Sequence, residues 1–101
     1  MKVLLVCNAG MSTSMLVSRM EKAAKEKNID VEILAVPLTQ AEKEINEWDV
    51  VMLGPQVRHC KKQLEKVSSD TPIEVIDMRD YGLMNGENVL NTAIKIIEKK
   101  R

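Results

Sequence analysis

The sequence predicts an α/β fold in which four parallel strands form one sheet with helices on both faces. Short apolar runs alternate along the chain with longer segments whose apolar residues recur at helical spacing. The connections between them are short, and such alternation is typical of parallel sheets built from right-handed crossovers. A length of 101 residues suits one shared core, so we expect residues 1–101 to form a single domain.

The predicted strands are residues 2–7, 31–36, 49–53 and 73–76. Val3–Val6 and Val50–Leu53 are apolar without interruption, as strands buried on both faces should be. The other two strands contain Glu32 and Glu74, which favour positions at the sheet edges. The predicted strand order is therefore 2-1-3-4, a shortened flavodoxin-like sheet.

The helices are predicted at residues 12–27, 39–45, from about 56, and from 87 to the last residue. Asn28 is a plausible C-terminal cap of the first helix, and Thr39-x-x-Glu42 has the capping-box pattern that predicts the start of the second. The apolar stripes of the three longer helices are Met15, Leu16, Met20, Ala23 and Ala24; Val57, Cys60, Leu64 and Val67; and Val89, Leu90, Ala93, Ile94 and Ile97.

Composition excludes several classes of function. Lys plus Arg number 15 and Asp plus Glu number 15, which argues against general binding to nucleic acid or to an anionic membrane. The early apolar run Val3–Val6 is too short for a signal peptide or a membrane span, so we expect no direct membrane insertion. Two cysteines without a secretion signal indicate a cytoplasmic protein, and a single histidine gives a metal site no support.

The stretch CNAGMSTS, residues 7–14, follows the first strand directly. In sheets of this order, ligands bind beyond the carboxyl ends of the strands where the order reverses, between Cys7 and the Gly54-Pro55-Gln56 segment. A loop that enters a helix aims backbone N–H groups at one spot, where the helix dipole favours an anion and the thiolate form of cysteine. The candidate phosphate-binding residues are Asn8, Ala9, Gly10 and Met11 through their amides and Ser12, Thr13 and Ser14 through their hydroxyls.

Position alone leaves another interpretation open, in which Cys7 is a small buried residue and Ser12 or Ser14 only caps the helix. The stretch, however, resembles the phosphocysteine loop of the IIB components of the bacterial sugar phosphotransferase system (PTS), in particular the lactose/cellobiose (N,N′-diacetylchitobiose) class. The resemblance extends to the length, the closing amphipathic helix and the segments DVVMLGPQ and PIEVIDMRDYG.

The resemblance implies that Cys7 is the nucleophile of a phosphotransferase. Cys7 would accept a phosphoryl group from a phosphohistidine of a IIA component. It would then pass the group to a cellobiose-, chitobiose- or lactose-like sugar held by the membrane IIC component. Loop amides would supply the electrostatics, so we expect neither a metal nor an organic cofactor.

The competing interpretation is a hydrolase similar to low-molecular-weight tyrosine phosphatases, which share the strand–loop–helix arrangement and use the pattern C-x5-R-[ST]. Counted from Cys7, Thr13 stands at the arginine position and Ser14 matches the final hydroxyl. An arginine would stabilise the spread charge of the transition state and speed attack by water. Its absence favours a carrier whose phosphocysteine survives until an acceptor arrives.

Several other residues lie near the predicted site in the sequence. Gln56 follows strand 3 and is a candidate to contact the phosphate or the sugar, with an N-terminal capping role as an equal alternative. Asp77 and Tyr81 follow strand 4 at the same sheet end and resemble the acid-bearing loop of phosphatases, and helix capping or turn formation explains them at least as well. Cys60 falls on the apolar stripe of the third helix and is predicted to be a packed core residue rather than a redox partner of Cys7. His59 is predicted to be an exposed surface residue.

Overall fold

A parallel sheet of four strands forms the centre of the computed structural model, which describes residues 1–7 and 11–100, with side chains except those of Met11 and Ser12. The strands are β1 (Lys2–Cys7), β2 (Glu32–Pro37), β3 (Val50–Leu53) and β4 (Ile73–Val75). Their order is β2-β1-β3-β4, and each neighbouring pair is parallel. The predicted order 2-1-3-4, that of a shortened flavodoxin-like sheet, is confirmed.

The burial of the strand residues agrees with this order. Residues 3–7 of β1 and all four residues of β3 are buried, because both faces of these central strands are covered by helices. Glu32 of β2 and Glu74 of β4 are exposed, as expected for edge strands. The central position of β1 carries Cys7 to the middle of the sheet's carboxyl end.

The helices are α1 (Met11–Glu26), α2 (Leu38–Glu44), α3 (Lys61–Val67), α4 (Met78–Gly82) and α5 (Gly86–Lys100). On one face of the sheet, Leu5 and Met52 pack with Leu16 of α1 and Leu90 of α5. On the other face, the strand residues Leu4, Val6, Val51 and Leu53 pack against α2, α3 and the segment before α3. The helical partners include Ala41, Val57 and Leu64. Successive strand residues point to opposite faces, so each strand contributes to both cores.

The cap of the first helix was predicted correctly and that of the second was not. Asn28 has φ 56°, the left-handed conformation common after a helix, and the N–H of Ile29 donates to the Ala24 carbonyl over 2.8 Å. The capping box at Thr39 is wrong, because β2 continues to Pro37 and α2 begins directly at Leu38 without a side-chain cap. Pro37, with an extended backbone, is the N-cap residue in place of Thr39.

Two apolar residues lie outside the stripes predicted for them. Met15 is 52% exposed, because it is displaced by about 100° around α1 from the buried Leu16. Val67 is 43% exposed at the last position of α3. The predicted third helix also starts as a 3₁₀ segment, Pro55–Cys60, before α3 begins. The short helix α4 was not predicted, since five residues are too few to show a helical period.

Candidate functional site

Cys7 occupies the junction predicted for it. It is the last residue of β1, it is 3% exposed, and α1 begins at Met11. The N–H groups in the first turn of a helix have no partners within the helix, and in α1 this turn comes four residues after the thiol. Asn8, Ala9 and Gly10 lie outside the described residues, so their proposed part in binding phosphate stays a prediction.

The remaining loop residues form the start of α1. Met11, Ser12, Thr13 and Ser14 are its first four residues. Thr13 is buried, with 1% exposure, and Ser14 is exposed. The side chains of Thr13 and Ser14 therefore face different surroundings, although the sequence placed both in one phosphate-binding set. That set remains a prediction.

Three of the predicted site residues meet at the carboxyl end of the sheet. The Gln56 Nε2 group donates a hydrogen bond of 3.0 Å to the Tyr81 hydroxyl oxygen. The same oxygen lies 3.4 Å from the Thr13 hydroxyl oxygen, and either hydroxyl can be the donor. These contacts join segments that follow β1, β3 and β4, because the three strands are adjacent and parallel.

Gly54 determines where the Gln56 side chain lies. The Gly54 N–H donates to the carbonyl of Val6, the residue before Cys7, over 2.9 Å. A Cβ atom on Gly54 would stand 2.7 Å from Gln56 Oε1 and 3.4 Å from that Val6 oxygen. The absence of a side chain at position 54 thus lets the Gln56 amide group fold back against the end of β3. The role of Gly54 was missed in the sequence, where the Gly-Pro pair after a strand was its signal.

Asp77 performs the capping role that the sequence left open. It is the N-cap of α4, and its carboxylate accepts the N–H groups of Arg79 and Asp80 over 2.8 and 3.1 Å. The Asp80 carboxylate accepts from the Asn88 amide group over 3.2 Å, which ties α4 to α5. These bonds place Tyr81 on a capped and anchored turn.

The other singled-out residues behave as packing and surface groups. Cys60 is a free, buried thiol among Leu4, Val57 and Leu64, which confirms its core position. His59 is exposed, as predicted. Within residues 1–7 and 11–100, no group of three or more His, Cys, Asp or Glu side chains could hold a metal ion. Over the same ranges, no helix has both the length and the apolarity needed to cross a membrane.

A cavity of about 420 Å³ opens at the opposite end of the sheet. Asp49 and Thr71, which precede β3 and β4, line it together with Trp48 and Lys100. Two of these residues are already hydrogen-bonded. The Asp49 carboxylate accepts a hydrogen bond of 2.8 Å from the Lys2 N–H, and the Thr71 hydroxyl donates one of 3.0 Å to the Trp48 carbonyl. The cavity is distinct from the Cys7 site, because it lies where β3 and β4 begin and Cys7 lies where β1 ends.

Known proteins with similar sequences identify the class. The chain is 36% identical over 98 residues to the PTS system oligo-beta-mannoside-specific EIIB component of Bacillus subtilis (strain 168), covering 95% of each chain. It is 41% identical over 98 residues to the PTS system cellobiose-specific EIIB component of Lactococcus lactis subsp. lactis (strain IL1403), covering 90% of this chain and 91% of the relative. EIIB components are sugar phosphotransferases, so this chain is a component of that class.

The family follows from a match over most of the chain. Residues 2–92 match the model of the family described as "PTS system, Lactose/Cellobiose specific IIB subunit". The solution structure of the cellobiose-specific phosphotransferase IIB component of Borrelia burgdorferi superposes with a TM-score of 0.84 at 51% identity, covering 99% of this chain and 94% of that one. The chain belongs to the lactose/cellobiose-specific IIB family, which confirms the resemblance seen in its sequence.

Proposed function

We propose that this protein is a cytoplasmic phosphoryl carrier that forms phosphocysteine at Cys7. IIB components work with IIA and IIC components. Here the donor would be a phosphohistidine of IIA, and the acceptor a cellobiose-, chitobiose- or lactose-like β-disaccharide bound by IIC. The observation that supports this proposal most directly is the position of Cys7, at the end of a central strand and just before the N-terminal turn of α1. Residues 1–101 would act as one domain.

The first step is transfer from histidine to cysteine. The Cys7 thiolate attacks the phosphorus in line with the phosphorus–nitrogen bond of the phosphohistidine. The sulfur–phosphorus bond forms while the phosphorus–nitrogen bond breaks, and the bonding pair returns to the imidazole nitrogen. Charge spreads over the three phosphoryl oxygens, where N–H donors at a helix N-terminus stabilise it.

The second step is transfer from cysteine to sugar. A hydroxyl oxygen of the sugar attacks the phosphorus, the sulfur–phosphorus bond breaks, and Cys7 leaves as the thiolate. The hydroxyl proton passes to a basic group of the IIC–sugar complex or to water. No redox change occurs and no metal is needed, because backbone amides and hydroxyls balance the phosphoryl charge.

Access to the thiol is part of this proposal. Cys7 is only 3% exposed in the unphosphorylated chain, so its sulfur must become more accessible when IIA donates. Cys60 is similarly buried, at 6%, but it lies in the core of the face that carries α2 and α3. The two cysteines are thus a matched pair: their burial is similar, but Cys7 ends a central strand and Cys60 lies in the helical layer.

The test is incubation of the protein with a phosphorylated IIA component, followed by mass spectrometry of the intact chain and its peptides. The parent and Cys60→Ser should gain one phosphoryl group on Cys7, and Cys7→Ser should gain none, because serine provides no accessible anion near neutral pH. Phosphate found on His59 or Cys60 would overturn the assignment. Adding a IIC component with its sugar should then release the phosphate from Cys7 as sugar phosphate.

A further inference from the structure

We propose that Gln56 and Tyr81 are positioning residues that hold the first turn of α1 in the orientation needed to receive the phosphoryl group. This inference rests on the proposed function of Cys7 and adds to it a determinant of rate. Neither side chain needs to touch the phosphate in this role. They act through the Thr13 hydroxyl, which belongs to the turn that follows the loop after Cys7.

The firm part of the arrangement is the bond between Gln56 and Tyr81. The Gln56 amide is the donor and the Tyr81 hydroxyl oxygen the acceptor, at the ordinary distance of 3.0 Å. The two residues are 25 positions apart and lie on segments that follow different strands, β3 and β4. Gly54 leaves room for the Gln56 side chain on one side, and the Asp77 cap holds the turn of Tyr81 on the other.

The contact between Tyr81 and Thr13 of α1 is weaker, but Thr13 is buried. Thr13 Oγ1 and the Tyr81 hydroxyl oxygen are 3.4 Å apart, longer than the usual oxygen–oxygen hydrogen bond. Thr13 is only 1% exposed, and a buried hydroxyl that loses its partner is destabilised. Loss of this long contact should therefore have a modest effect, which burial of Thr13 keeps from vanishing.

The consequence for phosphoryl transfer follows from the place of Thr13 in the helix. It is the third residue of α1, so its backbone belongs to the first turn, and a side-chain contact that anchors this residue restrains the N–H groups of that turn. Those N–H groups are the donors proposed to meet the phosphoryl oxygens. Loss of the Tyr81 hydroxyl should therefore slow the transfer step without weakening the docking of IIA, because preorganised donors act mainly on the transition state.

The experiment measures single-turnover phosphorylation of Cys7 by a phosphorylated IIA component over a range of IIA concentrations. Tyr81→Phe removes only the hydroxyl and should lower the maximal transfer rate by about threefold to tenfold, the range expected for one hydrogen bond. The concentration of IIA at half-maximal rate should not change. Thr71→Val is the matched control, because it removes another partly buried hydroxyl bond, of 3.0 Å, at the opposite end of the sheet.

A double-mutant cycle separates positioning from general destabilisation. Thr13→Val should lower the maximal rate as Tyr81→Phe does, and the double variant should be no slower than the slower single variant, because both changes break one contact. Thr13→Ser retains the hydroxyl and should lose less than Thr13→Val. Amide NMR shifts of residues 11–14 should change in Tyr81→Phe and not in Thr71→Val.

The outcomes distinguish this inference from the function on which it rests. A parent protein that takes no phosphate on Cys7 contradicts the proposed function itself. A parent that is phosphorylated normally, with Tyr81→Phe transferring at the parent rate or no slower than Thr71→Val, overturns only the positioning role. Multiplying effects in the double variant would also overturn it, because independent effects would show that Thr13 and Tyr81 do not act through each other.

Discussion

The backbone N–H of Gly54 donates a 2.9 Å hydrogen bond to the carbonyl of Val6 and so fixes the end of β3 against the residue that precedes Cys7. Gly54 also leaves the space into which the Gln56 side chain folds. One glycine therefore sets both the backbone next to the thiol and the amide that reaches Tyr81. Both relationships lie at the reversal of strand order between β1 and β3, where this class of sheet binds its ligands.

The first prediction concerns this glycine. In Gly54→Ala the new Cβ would stand 2.7 Å from Gln56 Oε1, so the flexible amide must move away from Tyr81. The φ of −61° and ψ of 149° suit alanine, so the free energy of unfolding should stay within about 1 kcal/mol of the parent's. Phosphoryl transfer from IIA should nevertheless slow by about threefold to tenfold, as in Tyr81→Phe.

Gly82→Ala is the control for this variant, since nothing lies within 4 Å of a Cβ at that position. It sits at the end of α4, close to Tyr81 in sequence, and should transfer phosphate at the parent rate. Side-chain amide NMR signals of Gln56 report the displacement directly. Unchanged Gln56 signals and unchanged transfer in Gly54→Ala would contradict the steric argument.

The second prediction concerns the packing of α1 on α5. A Cβ on Gly86 would lie 2.5 Å from the carbonyl carbon of Arg19 and 2.6 Å from the backbone nitrogen of Met20. Backbone cannot move aside as a side chain does, so Gly86→Ala should destabilise the fold by about 1–3 kcal/mol. The midpoint of thermal unfolding should fall by roughly 4–8 °C per kcal/mol.

Fluorescence of Trp48, which is 6% exposed, follows this unfolding because the residue leaves a buried site. Gly82→Ala again provides the comparison and should be neutral or slightly stabilising, because alanine is the better helix former. Equal unfolding midpoints for Gly86→Ala and Gly82→Ala would show that α5 can shift without loss.

The third prediction is that phosphorylation of Cys7 changes the structure locally. If the N-terminal turn of α1 is already shaped for an anion, amide NMR shifts should concentrate at residues 8–14 and 54–56, and at Tyr81. The sheet and the body of α5 should change little, because their cores do not depend on the phosphate. Large shifts spread over residues 87–99 would argue against a preformed site.

The fourth prediction separates the carrier from a phosphatase. The unmodified protein should hydrolyse p-nitrophenyl phosphate slowly, since Thr13 stands where the phosphatase pattern has arginine. Thr13→Arg should not convert it into an efficient phosphatase. At 1% exposure the position would have to bury a guanidinium group or displace Tyr81, either of which destabilises the fold. Fast hydrolysis by the unmodified protein that depends on Cys7 would instead support the phosphatase interpretation.

The sequence by itself determined the sheet, and it led to the proposal that Cys7 is the nucleophile. Uninterrupted apolar runs in β1 and β3, against glutamates in β2 and β4, were enough to order the strands, because burial on both faces leaves no place for a charge. The stretch that begins at Cys7 carried the family resemblance, since the residues that identify it are contiguous. Cys60 was placed correctly because helical spacing reports burial.

Only the tertiary structure decided how the site is assembled. Thr13 and Tyr81 are 68 positions apart, and no local pattern shows that their hydroxyls meet. They follow β1 and β4, the parallel strands on either side of β3, which carry both residues to the same end of the sheet. The start of α2 at Leu38 rather than Thr39 likewise depends on how far β2 pairs with β1, and a capping motif in the sequence carries no information about that pairing. Sequence patterns depend on neighbours along the chain, whereas contacts between segments that follow different strands form only after the strands have paired.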